Sequence, residues 1–116
     1  MPREFRITSP VPIDLEAIVR AAAEIDATLA VRATANGQVV QLIADDDETI
    51  VSIAASRLLQ TTSDVARLSP ALAQGVDPEV WWAEAYAPWT AGGERGAAIV
   101  GQLVHRLGGR SEGSDR

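Results

Sequence analysis

Three short alternating runs between Thr28 and Ala55, joined by two turn signals, constrain this chain more than any other feature in it. Thr28 to Thr34 places Leu29, Val31 and Ala33 on one face. Asn36-Gly37 follows, a pair that tolerates positive φ and reads as a two-residue hairpin turn. Gln38 to Ala44 returns as a second strand. Asp45-Asp46-Asp47-Glu48 forms a polar turn, and Thr49 to Ala55 is a third strand with Val51 and Ile53 on one face. Period-two alternation of this kind makes one buried and one solvated sheet face. The result is an antiparallel meander.

A helix precedes the meander. Ile13 to Ile25 repeats apolar residues at Leu15, Ile18, Val19, Ala22 and Ile25, the spacing of one buried stripe. Asp14 is placed to cap it, and Glu16, Arg20 and Glu24 are spaced for pairing on the opposite face. Before it, Phe5-Arg6-Ile7 reads as a short strand ended by Pro10 and Pro12. After the meander, Ser56 to Thr62 extends the sheet through Leu58 and Leu59, and Ser63 caps a short helix from Asp64 to Leu68. Glu94 to Leu107 is the last helix, with Ile99, Val100, Leu103 and Leu107 as its stripe and Gly108 as its C-cap. Gly96 suits a close approach there. Gly101 costs about 1 kcal/mol relative to Ala, so a packing reason is expected for it as well. Residues 109–116 are polar and rich in Gly and Ser, the composition of a disordered tail. The expected organisation is one domain over residues 1–108.

Four of the five aromatic residues lie within nine positions: Trp81, Trp82, Tyr86 and Trp89. Asp77-Pro78-Glu79 would start a helix well. Val80-Trp81-Trp82 and Tyr86 favour a strand, and a three-stranded meander gains from a further strand. As a strand, the segment puts Trp82, Glu84 and Tyr86 on one face and Trp81, Ala83, Ala85 and Ala87 on the other. The alanine face suits a closely packed interior, and the other face becomes a partly wet aromatic surface. Twenty residues are Ala, each burying little area, so the few large rings carry a disproportionate share of any core or interface.

Composition excludes several kinds of chemistry. There is no cysteine, so disulfides, thiol catalysis and Cys-based zinc sites are out. All ten basic residues are Arg; without Lys there is no Schiff-base or P-loop lysine. The all-Arg, Ala-rich usage fits a GC-rich bacterial genome. A net charge of −6 with no basic run disfavours nucleic acid and suits a basic partner reached by electrostatic steering. Met1 to Phe5 carries no apolar run and no stretch reaches 18 apolar residues, so neither a signal peptide nor a membrane span is expected, and a cytoplasmic location is.

No catalytic or metal constellation stands out. Asp45 to Glu48 lacks the alternating ligands and the glycine of a calcium loop. His105, the single histidine, has no orienting acid or nucleophile in view. Gly92-Gly93-Glu94-Arg95-Gly96 opens a helix, where anions bind, but lacks the residues of a phosphate loop. No cofactor is implied, and an enzyme is not expected.

The expected fold is therefore α+β: a two-layer sandwich with an antiparallel sheet of four to five strands and two to three helices mainly on one face. This order and acidity resemble those of small acidic secretion chaperones, which pair a helix-flanked sheet into dimers and hold a client. The leading functional expectation is a non-catalytic protein-binding module of immunity, inhibitor or chaperone-like adaptor type. Its expected contact residues are Trp82, Glu84, Tyr86, Trp89, Asp45, Asp46, Asp47 and Glu48. The alternatives are a small-ligand domain with Trp81, Trp82, Tyr86 and Trp89 walling a pocket between sheet and last helix, and a structural homo-oligomer whose rings meet their own copies.

Overall fold

A computed structural model describes residues 2–60, 67–69, 72 and 80–113. The elements run β1 (Arg3–Ser9), α1 (Leu15–Ile25), β2 (Ala30–Thr34), β3 (Val39–Ile43), β4 (Thr49–Ala54), β5 (Arg57–Leu59), β6 (Val80–Ala87), α2 (Ala91–Leu107) and β7 (Arg110–Gly113). All strand pairs are antiparallel, and the order across the sheet is β2-β3-β4-β6-β1-β7, with β5 beside β6. The α+β class and the antiparallel sheet are as the sequence implies. The details differ: among the described residues there are seven strands rather than four to five, and two helices with complete bounds. The short helix expected from Asp64 lies largely outside the described residues.

β5 is the sheet extension expected through Leu58 and Leu59, and it and β7 raise the strand count for physical reasons. Ile53 pairs with Ala85, whereas Arg57 pairs with Trp82, so four residues on one strand span three on β6. β4 and β5 are thus one strand interrupted by a bulge. Ser56 sits at the bulge, and its Oγ accepts the Ile13 backbone N–H at 3.1 Å. At the other end, residues 110–113 are an edge strand on β1, where a disordered tail was expected. Arg6 there bonds Glu112 at 3.1 Å. The Asn36-Gly37 turn also departs from expectation. Both residues take positive φ as foreseen, but Ala35 does so too (52°), and the loop closing Thr34 onto Val39 is four residues long.

The core lies between one sheet face and the helices. Phe5 and Ile7 of β1, Val40 and Leu42 of β3, Val51 and Ile53 of β4, and Ala83, Ala85 and Ala87 of β6 all point to this side and are buried. The alanines of β6 leave room for α2 to lie close. Gly96 makes the approach possible: a Cβ there would stand 2.0 Å from the Ile50 carbonyl oxygen. Gly101 shows no such reason, since a Cβ would meet nothing within 4 Å among the described residues, and the packing role expected for it is not found there. Helix α2 begins at Ala91 with Thr90 as N-cap, three residues earlier than the apolar stripe suggests.

Helix α1 packs mainly against α2. It therefore buries Ile18, Ala21 and Ala22, while Leu15, Val19 and Ile25, placed in the stripe from sequence, stand 38–50% exposed. The stripe's period is right, but its direction is rotated toward the neighbouring helix. Polar ties follow the same contact. Glu16 pairs with Arg20 on α1 at 2.7 Å, whereas Glu24 turns away and accepts from Arg106 and Gln102 of α2.

Candidate partner-binding site

The strand reading of the aromatic segment holds, and with it the alternation of its rings. Glu84 and Tyr86 lie on the sheet face away from the helices. There Tyr86 stands between Ser52 of β4 and Glu4 of β1, and Glu84 lies opposite Arg6. Tyr86 is 37% exposed and Trp89, just past the strand end, is 49% exposed. Burial pushes the Tyr86 hydroxyl above its usual pKa range, and the nearby Glu84 and Glu4 carboxylates add to the rise. The neutral phenol is the favoured form, so this ring offers a hydroxyl donor rather than a charge.

Trp82 corrects the expectation of a partly exposed ring. It shares the open sheet face with Tyr86 but is only 2% exposed, packed with Val80, Leu72 and Leu59 in a second, smaller apolar cluster. Its Nε1 has no hydrogen-bond partner among the described residues. Alternation correctly assigns the face; it does not reveal what covers it. Trp81 points to the opposite side and is half-buried. The four rings therefore do not wall one pocket between the sheet and the last helix.

The acidic turn divides in two. Asp45, Asp46 and Asp47 are exposed at the tip between β3 and β4, with Asp47 in the left-handed region at φ 65°. The turn is closed by Asp47 N–H donating to the Ala44 carbonyl at 2.9 Å and Ala44 N–H donating to the Glu48 carbonyl at 2.9 Å. Glu48 is half-buried and structural. Its Oε2 accepts from the Thr90 hydroxyl at 3.0 Å, and Thr90 Oγ1 in turn accepts the Gly93 N–H at 3.1 Å. A Cβ on Gly92 would stand 2.0 Å from Glu48 Oε1. The first-turn N–H groups of the glycine-rich helix start are thus taken by the Thr90 cap, and the Glu48 carboxylate lies against Gly92.

This tie brings two distant pieces of sequence to one corner. Thr90 follows Trp89, and Glu48 follows the three aspartates, so this bond ties the segment of the exposed indole to the base of the acidic turn. A shallow concavity beside them is lined by Pro2, Gln41, Thr49, Ser52, Tyr86 and Trp89. Arg3 braces the corner. Its guanidinium lies 5.2 Å from the Trp89 ring centroid and 5.5 Å from that of Phe5, and it bonds Glu94 at 3.1 Å. Of the eight residues expected to act together, Tyr86, Trp89 and Asp45 to Asp47 are presented here, with Glu48 as their anchor. Glu84 lies farther along the open face, and Trp82 is covered.

Sequence reasoning missed Arg3, Gln41, Thr49 and Ser52. They lie far from the aromatic run in the chain, and only the pairing of β6 with β1 and β4, and of β4 with β3, brings them near. Among the described residues, no group of three His, Asp or Glu side chains is placed to hold a metal ion, and no helix is long and apolar enough to cross a membrane. Comparison of the chain with protein-family models, with curated proteins and with solved structures finds no match.

Proposed function

We propose that this chain is a non-catalytic, acidic protein-binding module, acting in the cytoplasm as an immunity-type inhibitor or chaperone-like adaptor. It receives a basic partner at the corner formed by Trp89, Tyr86 and the Asp45–Asp47 tip. The observation that carries this reading is the Glu48–Thr90 contact at 3.0 Å, which ties the segment bearing the exposed Trp89 to the turn bearing three exposed carboxylates. Aromatic rings anchor protein interfaces because they bury much area with few rotors, and an acidic rim accelerates encounter with a cation. Arg3 holds the Trp89 ring in advance, so little side-chain freedom is lost on binding.

Affinity capture from lysate of the native host tests it, with wild type and Trp89→Ala run in parallel at low and moderate salt. One basic protein retained by wild type, weakened by salt and lost in the variant is the expected result. A hot-spot ring costs about 2 kcal/mol or more when truncated. A partner bound equally by both proteins, or held more tightly as salt rises, refutes this corner as the site. Trp82→Ala is the wrong variant for this purpose, because removing a buried ring disturbs the fold.

A further inference from the structure

From Ala27 to Ala44 the chain carries one charge, Arg32, although the 116-residue protein as a whole has ten basic and sixteen acidic residues. This stretch is the β2–β3 hairpin, and β2 is one edge of the sheet. The opposite edge, β7, is guarded by Arg110 and Glu112. Edge strands are usually protected by charge, proline or a bulge, because their free N–H and C=O groups template pairing with another strand. β2 has no proline and keeps an unbroken register with β3 over all five residues. Its single charge is drawn inward: Arg32 Nε donates to Gln41 Oε1 at 3.0 Å, over the neighbouring strand.

The outward backbone groups can be identified. Ala55 N–H donates to the Gln38 carbonyl at 2.7 Å, and Ala44 N–H donates to the Glu48 carbonyl. The even-numbered residues of this segment therefore bond toward β4. Val39, Gln41 and Ile43 bond the other way, toward Thr34, Arg32 and Ala30. Val31 and Ala33 are left with their N–H and C=O groups facing outward. Their side chains point to the helix side, where Val31 is 42% exposed beside a groove lined by Leu15, Ile18, Ala33, Val40 and Ile53.

We propose that β2 pairs antiparallel with β2 of a second copy of this chain, making one continuous sheet across a two-fold axis at Val31. This register sets Val31 against Val31 of the second copy and Leu29 against Ala33, all apolar and on one face. It also places Arg32 opposite Ala30. A shift of one pair toward the turn would set Arg32 against its own copy, and like charges directly opposite are unfavourable. The strand is thus complementary to itself in the Val31-centred register. A strongly basic partner has no charge to meet here, whereas a second acidic copy can approach only where its carboxylates are absent.

Sedimentation equilibrium over a concentration series tests the pairing, with wild type, Ala33→Pro and Val31→Lys. Proline at 33 removes an outward N–H and no internal bond. Lysine at 31 lowers the net negative charge, so a lost dimer cannot be blamed on added acid repulsion. Wild type is expected to reach twice the monomer mass, and more readily as salt screens the two acidic bodies. Each variant should raise the dissociation constant about tenfold or more while keeping the wild-type circular dichroism. Amide exchange at Val31 and Ala33 should slow with concentration in wild type alone. A wild type that stays monomeric throughout overturns the proposal, as does a dimer unaffected by both variants. Either outcome leaves capture of a basic partner at Trp89 as a separate result.

Discussion

Two glycines five residues apart on α2 provide a sharp test of the packing. Gly96→Ala places a methyl 2.0 Å from the Ile50 carbonyl oxygen, so the helix or β4 must retreat by more than 1 Å. Overpacking costs about 1–3 kcal/mol, and a backbone oxygen that cannot rotate aside puts this case at the upper end. The gain in helix propensity offsets about 1 kcal/mol, leaving a net loss of about 2 kcal/mol. Gly101→Ala meets nothing within 4 Å, so only the propensity gain of about 1 kcal/mol remains. For 116 residues the unfolding entropy is about 0.24 kcal/mol/K, so these changes correspond to Tm shifts of about −8 °C and +4 °C. Urea denaturation and calorimetry of both variants measure them. If Gly96→Ala matches or exceeds wild type, or Gly101→Ala loses stability, α2 does not lie on β4 in the manner described.

Two further expectations concern the loops. Ala35 sits at φ 52°, a conformation costing a side-chain-bearing residue about 1–2 kcal/mol; Ala35→Gly should stabilise by about 0.5–1 kcal/mol after glycine's entropy is counted, and an unchanged or lower urea midpoint would count against the left-handed turn. Asp26 caps the end of α1, and its pKa is lowered first by the Thr28 hydroxyl, at 2.6 Å, then by the Thr28 N–H, with Arg95 adding to it. A depressed carboxylate pKa contributes stability above the unfolded value near ~4 and loses it as pH falls through the folded value. The gap in urea midpoint between wild type and Asp26→Asn should therefore be full at neutral pH and close below pH ~4; a gap that persists into strong acid would contradict the assignment.

What the sequence made legible is local. Alternation in residues 80–87 identified β6 and its two faces, because period two is a property of the strand itself. The α1 stripe had the right period and the wrong direction, because packing against α2 rather than squarely on the sheet is a tertiary choice. The β4–β5 bulge depends on register against β6, which lies more than twenty residues away. β7 looked like a tail because its residues are polar; an edge strand paired on one side needs few apolar side chains. Glu48 reads in the sequence as the last residue of a polar turn, and nothing adjacent to it in the chain announces Thr90 as its partner. The candidate site was half legible for the same reason: Tyr86 and Trp89 stand out as rings, but the acidic turn is tied to their segment by a contact spanning 42 residues.

The distribution of charge makes salt the variable that separates the proposed surfaces. All sixteen acidic residues lie outside Ala27 to Ala44. A basic partner at the Trp89 corner gains from those carboxylates, and screening over a Debye length of about 8 Å at physiological ionic strength weakens that gain. Two copies meeting along β2 gain nothing from charge and suffer the mutual repulsion of two acidic bodies, so the same screening strengthens their association. Opposite slopes against ionic strength would show two independent surfaces on one small domain. A common slope would mean that a single surface serves both associations, and the partition into an acidic aromatic corner and a neutral edge would have to be abandoned.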